Sequence, residues 1–384
     1  MLRSLDDFRS SIEMLLAQLA YEKESQLFFK DGFQKYIGDS NFESEFRSFV
    51  EGVVSGSAIR TKIYSYQSSI ISLYGYLERF VEDVIVEYLK CISEACPEYS
   101  LLPPAIRKNH LGLSMDLINK IQRIKGWSES DRKAKLSSAV SNMNQFLSEQ
   151  GELKINHDAF VSHSSNFRYD TIHEAFTRLG IDTISKQCLG EQGLLNALCE
   201  RNGLDAEASY KTLVSCLTAE LDSLAQKRNE IAHGVRIDDI DSSELTVSRI
   251  KLIESYVTAI AAVVEKHIGQ YIFSVSPKLL IGKPDCIFTN INVIGFEGIG
   301  QQDNHDELHS FGVGDMLFAV NEESQEKCVS GKILSLKCNG VDQKIIRIPC
   351  AGDVSMKLDF EFSANFRKRS VFVALRAQAS AESA

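Results

Sequence analysis

The hydrophobic pattern of this chain changes period once, near residue 270, and that change limits its architecture more than any other feature. Up to about residue 277 apolar residues recur at the spacing of amphipathic helices, and from Gln270 they fall into short β-type runs. These runs are QYIFSV, DCIFTNINVIGF, GDMLFAV, CVSGKILSLKC, KIIRIP, MKLDFEF and SVFVALR, divided by Gly, Asn and Asp turns. Such spacing predicts a small sandwich or barrel. The expected fold class is mainly α, a helical bundle followed by a small β-rich C-terminal domain. The boundary falls near Ser274–Lys278, with an N-terminal helical extension over 1–57, a helical domain over 58–273 and a β-rich domain over 274–384.

Two long helices dominate the first part. The segment Ala58–Ile92 carries Ile63, Tyr66, Ile70, Leu77, Val81, Val84 and Tyr88 on one apolar arc, at about 100° per residue. The Pro97 and Pro103–Pro104 region ends it. The second long helix, Asp205–Ala232, is stopped by Gly234, after which Ser242 or Ser243 caps a last helix to about Gly269. Shorter helices are expected at Leu5–Phe29, near Phe42–Val54, and at 111–125, 131–149, 168–180 and 191–200.

Composition excludes several function classes. With 384 residues, 44% hydrophobic and 24% charged, the chain is ordinary for a soluble globular protein. A formal net charge of −10 argues against non-specific coating of nucleic acid and leaves only local basic patches for that purpose. The opening MLRSLDDFRSSIEMLLAQLAYEKE is acidic and amphipathic, and no long apolar run follows, so a cytoplasmic chain without a membrane span is expected. The nine cysteines are scattered, and the Cys91–Cys96 pair lacks a second close pair to complete a zinc site. Reduced, buried thiols are expected, with no metal and no cofactor.

The stretch Lys227–Gly234, KRNEIAHG, breaks the helical pattern around it. Val214, Leu217, Leu221, Leu224 and Ile231 form an apolar stripe, and Arg228 falls on it. A guanidinium keeps its proton, so a partly buried one calls for a fixed anion. Glu78, on the shoulder of the first long helix's apolar arc, is the candidate partner. Beside the stripe run Asp222, Gln226, Asn229 and His233, which places Asn229 and His233 on one face. Arg228 and His233, by contrast, diverge by about 140° on an ideal helix. Arg168–His173 repeats the spacing, without the adjacent amide or the closing glycine.

KRNEIAHG resembles the motif of the HEPN superfamily, Arg-x(4–6)-His, often with Asn after the arginine. Its RN-x-x-AHG ending is most similar to the RiboL-PSP and related defence-associated HEPN groups. The segment ISLYGYLERFVEDVIVEYL resembles that group's first core helix, and SSNFRYDTIHEAFTRLGID its middle segment. The likeness covers roughly residues 58–270 and leaves out the β-rich tail. It implies a HEPN-type helical bundle and a metal-independent endoribonuclease, a toxin or antiphage-defence effector acting as a homodimer with two motifs in one cleft. Carried over by position, Arg228 and His233 are catalytic, Asn229 supports them, and Glu78 matches the acidic position of the first helix. The family also contains inactive members, so the competing expectation is a non-catalytic binding or scaffold module in which Arg228 makes a structural ion pair.

The chemistry suits these residue types. RNA supplies its own nucleophile, the 2′-hydroxyl, and histidine, with a reference pKa of about 6.5, moves that proton near neutral pH. Arginine offers forked donors to the crowded phosphate, and fixed donors of this kind are worth roughly 3–4 kcal/mol each. For substrate contact, Lys120, Arg123, Lys125 and Arg132 surround Trp127, the chain's only tryptophan. They are a candidate RNA track with a base stacked on the ring, against the plainer reading of a solvated turn between helices. His157 and His163 read as loop histidines, and His305 and His309 with Asp303 and Asp306 as an acidic surface loop. A regulatory partner is expected at the β-rich domain.

Overall fold

The computed structural model describes residues 2–35, 44, 48, 56–149, 153–163, 166–205, 207–235, 240–299, 309–321 and 328–374. The helix expected over Phe42–Val54 lies largely outside the described residues, as do His305, Asp303 and Asp306. The fold class is mainly α with a β-rich C-terminal part, as the change of period requires. Two compact units divide the chain. One comprises Met1–Leu89, Pro103–Asn144 and Ile155–Val264, and the other Lys90–Leu102, Gln145–Lys154 and Glu265–Ala384.

In the described residues the helices are α1 (Arg3–Lys35), α2 (Gly56–Ala95), α3 (Pro104–Arg123), α4 (Glu129–Ser148), α5 (His157–Phe160), α6 (Tyr169–Thr177), α7 (Ile184–Cys188), α8 (Gln192–Asn202), α9 (Tyr210–Ala232) and α10 (Ser243–Val275). The apolar arc of α2 is buried as its periodicity predicts, through Tyr66, Ile70, Leu77, Val81, Val84 and Tyr88, joined by Leu73, Tyr74 and Phe80. Helix α9 buries Leu213, Leu217, Leu221, Leu224 and Ala225. Helix α10 buries most of its residues from Ile250 to Val264 and leaves Lys251 exposed.

Several boundaries differ from expectation, three of them for an identifiable local reason. Pro104 opens α3 rather than merely ending α2, because a first-turn proline has no amide hydrogen to waste. Helix α9 starts at Tyr210, five residues after Asp205, because the Ser209 hydroxyl accepts the Thr212 amide at 3.2 Å and caps it there. Helix α10 runs past Gly269 to Val275. Gly269 is a packing glycine, since a Cβ there would meet Ser330 Oγ at 1.8 Å. The apolar QYIFSV that follows therefore stays helical, and Phe273 lies 5.4 Å from both Phe318 and Phe372. The cap expected for α10 is present, with Leu245 N–H donating to Ser242 Oγ at 3.2 Å.

The β-rich unit holds β1 (Lys278–Gly282), β2 (Cys286–Phe288), β3 (Val293–Ile299), β4 (His309–Gly312), β5 (Met316–Val320), β6 (Cys328–Cys338), β7 (Val341–Gln343), β8 (Ile345–Ile348), β9 (Cys350–Leu358) and β10 (Ser370–Ala374). Its main sheet runs β1-β10-β5-β6-β9-β3-β2 with β7 paired to β6, and β4 pairs with β8. All pairs are antiparallel, and the sheet is an open half-barrel. Strand β6 serves both halves, pairing β5 over Cys328–Lys332 and β9 from Ile333 onward. Ile294, Phe296, Leu317, Ile333, Met356 and Val371 fill its core.

One buried histidine sets a pH limit on the helical unit. His110 of α3 is fully enclosed, and its Nε2 accepts the Asn156 N–H at 2.9 Å, so the ring is held neutral. Burial first, and nearby His157 second, lower its pKa to about 4. A lowered histidine contributes stability that is complete above its unfolded value of about 6.5 and is lost as pH falls towards 4. Denaturant unfolding should show stability dropping by roughly 3 kcal/mol across that interval, from this group alone. His110→Gln should lack this contribution, and a wild-type profile flat between the two limits would refute it.

Candidate active site at the end of α9

The last turn of α9 presents the KRNEIAHG residues, and the way the helix stops explains its glycine. Gly234 has φ +68°, Gly234 N–H donates to Ile231 O at 3.0 Å, and Val235 N–H donates to Glu230 O at 2.9 Å. This is a Schellman stop, and it leaves His233 at the C-cap with φ −89° and ψ 6°. The imidazole is therefore carried outward on an ordered helix end. Its ring is exposed and has no partner among the described residues.

Arg228 faces a different neighbour. Its guanidinium lies 5.2 Å from the ring centre of Tyr74 on α2, and its Nη1 donates to Asn229 Oδ1 at 3.1 Å. The Arg228–Glu78 ion pair expected from packing is not formed; the two residues meet through Tyr74, whose hydroxyl donates to Glu78 Oε1 at 3.3 Å. The same hydroxyl accepts the buried Phe167 N–H at 2.8 Å. Burial and the Glu78 carboxylate push the Tyr74 hydroxyl well above its ordinary range, so it keeps its proton and remains a donor. A guanidinium over an aromatic face is stabilised without a full counter-ion, which is how half-buried Arg228 dispenses with an anion.

Asn229 links the two residues. Its Oδ1 accepts from both Arg228 and Asn166 Nδ2, so the amide is oriented from two sides. The segment Phe167–Arg168 adds two more ties, Phe167 N–H to Tyr74 and Arg168 Nη2 to Gln226 Oε1 at 3.4 Å. Arg168, the alternative Arg–His match, thus serves to hold this segment against α9. Nearby, His163 Nε2 lies 3.2 Å from Glu82 Oε1, one helical turn beyond Glu78, and its ring centre is 4.2 Å from that of Phe167. His163 was legible only as a loop histidine; its contact to α2 carries no local sequence pattern.

Buried ion pairs hold the motif from the other side. Lys227 Nζ donates to Tyr66 Oη at 2.8 Å and lies 3.4 Å from Asp241. Arg249 reaches Asp241 at 3.3 Å and Glu220 at 3.5 Å, and Arg201 reaches Glu220 at 2.7 Å. Among the described residues, Arg201 and Arg249 are the most enclosed arginines with carboxylate partners. This network ties α8, α9, α10 and the Asp241 segment together immediately behind the motif. Sequence reasoning missed it, although Arg249 beside the apolar positions Ile250, Leu252 and Ile253 was the available signal.

The basic segment divides into two kinds of residue. Lys120 and Arg123 end α3, Lys125 and Trp127 occupy the turn, and Trp127 is 38% exposed. Lys120 Nζ donates to Ser162 Oγ at 3.2 Å. Arg132 Nη2 donates to Ile124 O at 2.8 Å and closes the turn, so this cation is committed to its own backbone. Arg123, Lys125 and Trp127 are exposed.

A helical unit with an Arg-Asn-x-x-x-His helix end has the features of a HEPN domain. The RiboL-PSP-HEPN family pattern matches residues 32–266, more than half of the chain, and begins upstream of residue 58. The chain belongs to the RiboL-PSP-HEPN family. HEPN domains are commonly ribonucleases that bind RNA and dimerise. No curated protein and no solved structure matches the chain. Among the described residues no helix is long and apolar enough to cross a membrane.

Tyr74 supplies a test of this geometry. Tyr74→Phe keeps the ring under Arg228 but strands the buried Phe167 N–H, so unfolding should show a loss of about 1–3 kcal/mol. An unchanged unfolding midpoint would mean that the hydroxyl does not hold this segment.

Proposed function

We propose that this chain is an endoribonuclease that cuts RNA by attack of the substrate's own 2′-hydroxyl, with Arg228 and His233 as its catalytic residues. The observation that carries the reading is an exposed histidine on an ordered C-cap, one turn from an arginine fixed by Tyr74 and Asn229. In this reading His233 moves the proton, and Arg228 binds the phosphate oxygens as negative charge grows on them. Asn229 orients the guanidinium, and Glu78 acts through Tyr74 as a positioning residue. No metal or cofactor has a step in this chemistry.

The divergence of about 140° between positions 228 and 233 on one helix favours a cleft completed by a second copy of the chain. Lys120, Arg123, Lys125 and Trp127 then provide a track for the flanking strand, with Arg132 shaping the turn that carries them. Within this proposal residues 58–273 are the catalytic domain. Residues 274–384 are the surface for a regulatory partner, and the role is that of a cytoplasmic toxin or antiphage-defence effector. A scaffold reading draws on one observation, the seat of Arg228 on Tyr74, which is also what a purely structural arginine would adopt.

Arg228→Ala and His233→Ala separate the two. Each should lower RNA cleavage by roughly 10²–10³-fold while the unfolding midpoint and oligomeric state stay as in the wild type. Cleavage by the wild type should persist with excess chelator. A fully active His233→Ala chain would refute the mechanism. Loss of folding in Arg228→Ala, with no cleavage of any RNA pool by the wild type, would establish the scaffold.

A further inference from the structure

Two of the nine cysteines touch. Cys338 ends β6 and Cys350 opens β9, and their Sγ atoms lie 3.5 Å apart. Both are half-buried at the margin of the β core, open enough for a small reagent and enclosed enough to hold their orientation. The backbone fixes each independently. Cys338 faces Val354 on the last β6–β9 rung, while Cys350 faces Ile299 of β3. Asn339 N–H donates to Asp353 O at 2.8 Å, and Asp353 N–H donates to Asn339 Oδ1 at 2.9 Å, which clamps the two chain segments beside the sulfurs. The thiols are thus held as a pair by the sheet. A disulfide bond of about 2.05 Å asks the two sulfurs to close the remaining gap.

We propose that Cys338 and Cys350 form a dithiol modification site, which a small-molecule disulfide of the glutathione class closes into an intramolecular disulfide. The thiolate of one cysteine attacks one sulfur of the reagent, forms a mixed disulfide and releases one thiolate. The thiolate of the other then attacks the protein sulfur of that mixed disulfide and expels the second. Two protein thiols and one reagent disulfide become one protein disulfide and two reagent thiols, with two electrons passing to the reagent. Cys188 and Cys328 are more fully enclosed, with their thiols pushed up by burial, and remain reduced. The new bond closes the stretch that carries β7 and β8, and so fixes β8 in its pairing with β4.

The site is independent of the ribonuclease reading, and its test uses the intact chain. Native protein is exposed to oxidised glutathione, remaining thiols are alkylated, and peptides are mapped by mass spectrometry. The expected product is a Cys338–Cys350 linked peptide with seven of the nine cysteines alkylated, reversed by a dithiol reductant. Cys338→Ser should instead accumulate a glutathione adduct on Cys350. Alkylation of all nine thiols, a lasting adduct on either cysteine of the wild type, or a link between other cysteines would overturn the assignment.

Discussion

The geometry of the candidate site depends on one interaction, the seating of the Arg228 guanidinium on the face of Tyr74. The tyrosine is buried on α2, its ring carries the cation of α9, and its hydroxyl joins Glu78 to the backbone of Phe167. A buried tyrosine has to satisfy its hydroxyl, and a half-buried arginine has to satisfy its charge. Here one side chain does both. The consequence is mechanical: α2, the end of α9 and the Phe167 segment share one node, so the arginine is positioned before any substrate arrives.

Behind that node the structure uses a different device. Arg201, Arg249, Lys227, Glu220 and Asp241 form a largely buried network in which each carboxylate serves two cations. Networks of this kind are costly to leave half-satisfied, which favours a single arrangement of α8, α9 and α10. The Schellman stop at Gly234 completes the picture by fixing where His233 leaves the helix. Rigid support and an exposed imidazole are what proton transfer to a bound polymer asks of a site.

Much of this was legible in the sequence, and the failures are informative. The burial of Ile70, Leu77, Val81 and Val84, the stop at Gly234 and the Ser242 cap follow directly from periodicity and end chemistry. The expected Arg228–Glu78 ion pair is replaced by contacts of each residue with Tyr74, and the sequence shows the two charges but not the tyrosine between them. Gly269 was misleading for a related reason. A glycine that ends a helix and one that admits Ser330 look alike until the neighbouring strand is known. Tertiary partners such as Asn166 for Asn229 and Glu82 for His163 are separated by 63 and 81 positions and leave no local pattern.

The account comes down to what the side chains at 228 and 233 do to a phosphodiester, and the ends of a cut RNA report that directly. RNA incubated with the intact chain should carry 5′-hydroxyl ends opposite 2′,3′-cyclic phosphates or their hydrolysed forms, because the 2′-oxygen is the nucleophile. Ends bearing 5′-phosphate opposite a free 3′-hydroxyl would mean that water attacked instead, and would contradict it.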